Sequence, residues 1–203
     1  MTAKEYLNKT RAILQKAQEL YELEAGDLRA EIAKENNGDH TIDYIRRVIL
    51  PKEGEIRQNM ANIQTEAERQ LQELYREQIE TLQKRDQLRG EDLNSEISLL
   101  TSGIKLTEND VQGIIDRNPN NRTVQRLARE YADSNGLKVK SMYQPALAAA
   151  PRFEEVKDAA IKMLGRIDQP DTFSLMYGAI LGENGKANSL ESWDEENSEE
   201  GKV

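Results

Sequence analysis

Residues 56–82 read IRQNMANIQTEAERQLQELYREQIETL. Apolar side chains recur at Ile56, Met60, Ile63, Ala67, Leu71, Leu74, Ile79 and Leu82, while Glu, Gln and Arg dominate the other faces. Steps of mostly three and four residues place the apolar set on one narrow stripe of a helix. Between Thr41 and Gly90 the one strong helix breaker is Pro51. At a rise of about 1.5 Å per residue, such a helix extends for roughly 75 Å, well beyond a small domain. A seam that thin needs another rod, so the stretch predicts assembly before it predicts chemistry. Met60, Leu71 and Leu82 are spaced at eleven residues, which favours a straight or slightly right-handed coil. Pro51 and Gly54 stand where the earlier heptad register shifts, so a kink is expected there.

Upstream, Leu7, Leu14, Tyr21 and Leu28 repeat every seven residues, predicting a first helix from about Thr2 to Asn36. Asn36, Asn37 and Gly38 stop it, and Asp39 or Thr41 can cap the next. So short a link makes the two helices antiparallel neighbours. The expected self-association seam comprises Leu14, Tyr21, Leu28, Ile45, Ile49, Ile56, Ile63, Leu71, Leu74 and Leu82.

Beyond Gly90 the elements shorten. Thr107 and Asp110 form a capping-box pattern ahead of Ile114 and Ile115. Asn118-Pro119-Asn120-Asn121 marks a turn, and Asn135-Gly136 closes the helix that follows, with Leu137 placed to pack back. Phe153, Val156, Ala160, Leu164 and Ile167 define another helix, and Phe173, Tyr177, Ile180 and Leu181 a last one. No alternating strand pattern of any length intervenes. The fold expected is all-α: a long antiparallel helical hairpin of coiled-coil type over 1–90, a compact helical module over 91–182, and a disordered acidic tail over 183–203.

Composition fits elongated helices better than a thick core. Among 203 residues, 37 % are apolar and 32 % charged, with two Phe and one Trp. The absence of Cys excludes disulfides and thiolate metal sites. Neither a signal peptide nor a membrane-spanning run is visible, so the protein is expected to be made and kept in a cytoplasm. The net charge of −9 argues against general phosphate attraction. The tail is rich in Glu, Asn and Ser and reads first as a solvated solubility tail, the alternative being a peptide that docks in a partner groove through Leu190 and Trp193.

The chain carries no recognisable catalytic pattern. His40 is the single histidine, and its neighbours Asp39 and Asp43 are ordinary cap residues at a hairpin tip. There is no nucleophile elbow, phosphate-cradling loop or His-Glu-x-x-His. The reading is non-enzymatic, with no cofactor and no metal. One locally basic helix holds Arg122, Arg126 and Arg129 on a common face beside the Asn-Pro-Asn-Asn turn. Its use as the second helix of a DNA-binding helix-turn-helix is the alternative function, and a partner-docking face the other.

The segments Leu99-Leu100-Thr101-Ser102-Gly103-Ile104-Lys105-Leu106-Thr107, Asn121-Arg122-Thr123-Val124-Gln125-Arg126-Leu127-Ala128-Arg129-Glu130-Tyr131-Ala132 and Asn135-Gly136-Leu137 resemble small proteins encoded among the head genes of tailed phages and prophages of Gram-positive bacteria. Those proteins similarly put a long charged coiled coil before a compact helical module. The resemblance implies a virion-assembly or head-associated structural protein, scaffold-like, whose partners are further copies of itself and a capsid or portal protein. It brings no catalytic residues.

Overall fold

The computed structural model describes residues 1–36, 40–141, 143–182 and 185–197. Among them every regular element is a helix: α1 (Ala3–Asn36), α2 (Ile42–Tyr44), α3 (Leu50–Arg85), α4 (Ile97–Thr101), α5 (Glu108–Arg117), α6 (Arg122–Asn135), α7 (Ala150–Leu164), α8 (Pro170–Leu181) and α9 (Asn188–Asn197). A five-residue π-helical turn, Ile45–Ile49, joins α2 to α3 without a break. The all-α fold with its long helical hairpin is therefore the observed one.

The disturbance expected at Pro51 and Gly54 lies one turn earlier. Proline has no N–H and its ring crowds the carbonyl four residues back, here that of Arg47. The chain answers by widening the preceding turn, so that the Leu50 N–H donates five residues back to the Ile45 carbonyl. At the start of this long helix, the Thr41 hydroxyl accepts from the Tyr44 N–H at 3.3 Å.

Two compact units result, the described residues within 1–78 and 151–194 forming one and those within 79–150 the other. This corrects the expected division at residues 90 and 182. Residues 151–182 do not belong with 91–150; they complete the core of the hairpin. The physical reason is the apolar inner faces of α1 and α3, which α7, α8 and α9 cover. Tyr6 and Phe153, both fully buried, meet edge to face with ring centroids 5.0 Å apart. The Tyr6 hydroxyl donates to the Phe153 carbonyl at 3.2 Å, and burial pushes its pKa well above the usual phenol range. Arg11 Nε donates to the Leu181 carbonyl at 2.9 Å, and Gln64 Nε2 to the Leu164 carbonyl at 3.3 Å.

Antiparallel pairing of α1 with α3 is pinned near the hairpin tip by Glu31. Its carboxylate is almost wholly buried and accepts from Lys34 Nζ at 2.8 Å and Lys52 Nζ at 2.5 Å. These hydrogen bonds, Lys34 first and then Lys52, hold its pKa below the ordinary glutamate value. The unfolded chain, with glutamate near pKa 4.3, binds the proton more readily, so folding gains from Glu31 above that pH and loses the gain as pH falls through the folded pKa. Stability measured by circular dichroism against pH should therefore rise with pH up to about 4.5. Glu31→Gln should flatten that part of the curve; an unchanged slope would exclude the carboxylate as its source.

The second unit is built on α4, α5 and α6. Leu100, Val111, Ile114, Ile115, Val124, Ala128 and Ala132 form its core, flanked by Leu106, Tyr131 and Leu137. The capping box is present as expected: the Thr107 hydroxyl accepts from the Asp110 N–H while Asp110 accepts from the Thr107 N–H. Gly136 takes the left-handed conformation that ends α6, with φ of 67°. The Leu137 N–H then reaches back to the Ala132 carbonyl at 2.9 Å, setting the Leu137 side chain against the core.

Candidate functional site

The ten residues expected to form a self-association seam divide between the chain's own core and its surface. Leu14, Ile49, Ile56, Leu71, Leu74 and Leu82 are buried within the single chain, while Tyr21, Leu28, Ile45 and Ile63 are half-buried. For the six buried residues the chain supplies much of its own cover, while Ile63 and Leu74 also line open clefts between α1 and α3. Periodicity identified the apolar edge correctly but not what covers it, because a coiled-coil partner and a folded-back helix satisfy the same stripe.

An α1/α3 surface that shares Ile63 and Leu74 with the expected seam stays open. On α1, Lys9, Ile13, Lys16, Leu20 and Leu23 follow each other at steps of four, three, four and three, which aligns them along one face. Leu20 is 44 % and Leu23 63 % exposed. Ile13, Ala17 and Leu20 line one side of a groove of about 280 Å³, faced from α3 by Ile63, Glu66, Ala67 and Gln70. A second cleft of about 350 Å³ continues it, with Lys9 and Ala12 opposite Glu73, Leu74 and Glu77. The surface thus has an apolar floor, a lysine rim on α1 and a carboxylate rim on α3.

The carboxylate rim is internally ordered. Arg69 donates to Glu66 at 2.7 Å and to Glu73 at 2.8 Å. The hydrogen bond from Arg69, followed by that from Gln70, lowers the Glu66 pKa to about 2. Glu66 is therefore charged at any physiological pH. Lys9 and Lys16 have no ion-pair partner among the described residues.

The three arginines of α6 do come together on one face, and that face is engaged within the second unit. Arg122 Nη2 donates to the Gln144 carbonyl at 3.0 Å, stands 3.5 Å from Asp86 Oδ1 and lies over the Tyr143 ring. Arg126 Nη1 donates to the Asp86 carbonyl at 2.6 Å and its Nε to Glu130 at 2.7 Å. Arg129 Nη1 donates to the Tyr143 carbonyl at 2.8 Å. Guanidinium groups spent on backbone carbonyls have fewer N–H donors left for phosphates or a partner. Asp86 is the residue that sequence reasoning missed. Its carboxylate accepts from the Ala146 N–H at 2.7 Å and the Leu147 N–H at 2.8 Å, capping a 3-10 turn, Ala146–Ala149, whose own N-cap residue Pro145 offers no side-chain bond.

Trp193 requires a further correction. Residues 188–197 form the helix α9, in which Leu190 and Trp193 are buried. Asp194, also buried, accepts from the Ala3 N–H at 2.7 Å, placing a carboxylate at the positive end of α1. The indole is thus a core residue of the first unit and not a free anchor. Acidic residues around Trp193 mimicked the composition of a disordered tail, but Ala187, Leu190 and Trp193 at three-residue steps were enough to fold that stretch onto α1. Residues 198–203 of the expected tail lie outside those described.

His40 stacks on Tyr44 with ring centroids 4.6 Å apart, and Asp43 faces Arg47 at 3.4 Å; Asp39 lies outside the described residues. Among the described residues no helix is long and apolar enough to cross a membrane. Comparison of the chain with protein-family models, curated proteins and solved structures gives no match.

Proposed function

We propose that this chain is a non-enzymatic assembly protein that acts by protein–protein contact, as a scaffold-like or head-associated component of a tailed phage or prophage. The observation that carries the contact role is the open α1/α3 surface, apolar along its floor and oppositely charged on its two rims. Solvent-exposed leucines in a row, flanked by fixed charges, are the anatomy of a recognition face. The phage assignment rests on the resemblance carried by residues 99–107, 121–132 and 135–137, within the α4–α6 unit. The arginine-helix alternative has less support, since Arg122, Arg126 and Arg129 serve the chain's own backbone.

The test is crosslinking mass spectrometry on the tagged full-length chain, expressed in a lysogen during prophage induction. Crosslinks to capsid or portal subunits are expected, with a yield that does not depend on nuclease treatment. Crosslinks that run only to nucleic-acid-bound proteins and vanish with nuclease would overturn the assembly reading in favour of the arginine helix.

A further inference from the structure

We propose that the α1/α3 groove is a two-fold interface whose occupant is a second copy of this chain. The inference rests on the contact role argued above and names the partner. α1 and α3 run antiparallel, so Lys9 lies level with Glu73 and Glu77, and Lys16 level with Glu66 and Gln70. Take a two-fold axis in the plane of the face and parallel to the groove. Rotation about it keeps every residue at its own level and exchanges the sides, laying α1 of one copy over α3 of the other. Lys9 and Lys16 then oppose the carboxylates of the partner, twice per dimer, and the apolar floors meet along the axis. A two-fold axis across the groove would instead lay α1 on α1 and oppose lysine with lysine. Charge therefore selects one of the two symmetric pairings.

Two features favour a second copy over a foreign partner. The face carries both halves of the complementarity, which an isologous interface needs and a one-sided docking site does not. The lysines that complete it have no ion-pair partner among the described residues, whereas Glu66 and Glu73 are held ready by Arg69. The exposed leucine at position 20 lies in the groove itself, and shielding it is the hydrophobic return of the pairing.

The experiment is light scattering on the full chain at micromolar concentration and low salt. The expected mass is twice the 23.1 kDa of one chain. Two charge-reversed variants follow, one carrying Lys9→Glu with Lys16→Glu and the other Glu66→Lys with Glu73→Lys. Each alone opposes like charges and should raise the dimer dissociation constant about a hundred-fold. An equimolar mixture places acidic α1 over basic α3 and basic α1 over acidic α3, so it should recover the dimer. Circular dichroism establishes that each variant keeps its helices. Should either lose them, the wild-type protein still answers: zero-length carbodiimide crosslinking of mixed light and heavy isotope copies must join Lys9 or Lys16 of one isotope to Glu66, Glu73 or Glu77 of the other. A monomeric wild type, a dimer that survives both reversals, or crosslinks confined to single-isotope pairs would each overturn the proposal. None of these results bears on capsid crosslinking, so the two readings fail separately.

Discussion

Phe153→Ala is expected to lower the stability of the first unit by about 3–5 kcal/mol, the range for emptying a fully buried aromatic site. Phe153 has no solvent exposure and meets Tyr6, which is also buried, in an edge-to-face contact. Removing the ring loses its transfer free energy and that contact, and leaves a cavity that helices fixed at several other points cannot close. The Tyr6 hydroxyl keeps its acceptor, because that is the backbone carbonyl of residue 153. The loss is therefore one of packing, and Phe153→Leu should recover a large part of it. Denaturant unfolding followed by circular dichroism measures the effect. The outcome also decides how the hairpin is held. Were α1 and α3 stabilised chiefly by a partner across the leucine seam, Phe153→Ala would leave them almost untouched, and a loss below about 1 kcal/mol would favour that arrangement.

Asp86→Ala is expected to destabilise the second unit by about 2–4 kcal/mol, through lost capping and an orphaned guanidinium. One carboxylate accepts from two successive backbone N–H groups, Ala146 and Leu147, and faces Arg122. Asp86 and Arg122 side chains are only 17 % and 22 % exposed, so water replaces the lost partner poorly. Arg122 Nε is already buried without a hydrogen-bond partner, which leaves this arginine little tolerance for losing more. Asp86→Asn keeps one acceptor oxygen and the shape but not the charge, and should fall between alanine and wild type. Hydrogen exchange gives the local readout: the Ala146 and Leu147 amides should lose protection in Asp86→Ala while the Val124 and Ala128 amides, inside α6, change less. Equal loss at all four positions would mean the whole unit has opened and that Asp86 has no local capping role.

Local chemistry was legible from single residues. Thr41 and Thr107 as caps, Asn118–Asn121 as a turn, and Gly136 as a left-handed stop each stand where a short pattern put them. Those signals act over three or four residues and need no knowledge of the rest of the chain. Pro51 was read correctly as a disturbance but displaced by a turn, since the carbonyl a proline evicts lies upstream of it. The candidate surface was less legible. Ile13 and Leu20 fall outside the seven-residue repeat of Leu7 and Leu14, whose side chains, with those of Leu71 and Leu74, are buried.

By itself the sequence determined that the protein is helical, where α1, α5 and α6 begin and end, and which stripe of each is apolar. Periodicity and capping are properties of one element. Only the tertiary structure decided what lies against each stripe. It sent α7, α8 and α9 onto the hairpin, turned Trp193 from an apparent hook into core, and tied the α6 arginines to the chain's own carbonyls. The reason is that hydrophobic burial is non-directional: a leucine edge is satisfied equally by a second molecule or by residues a hundred positions away, and only the folded chain's connectivity and packing select between them.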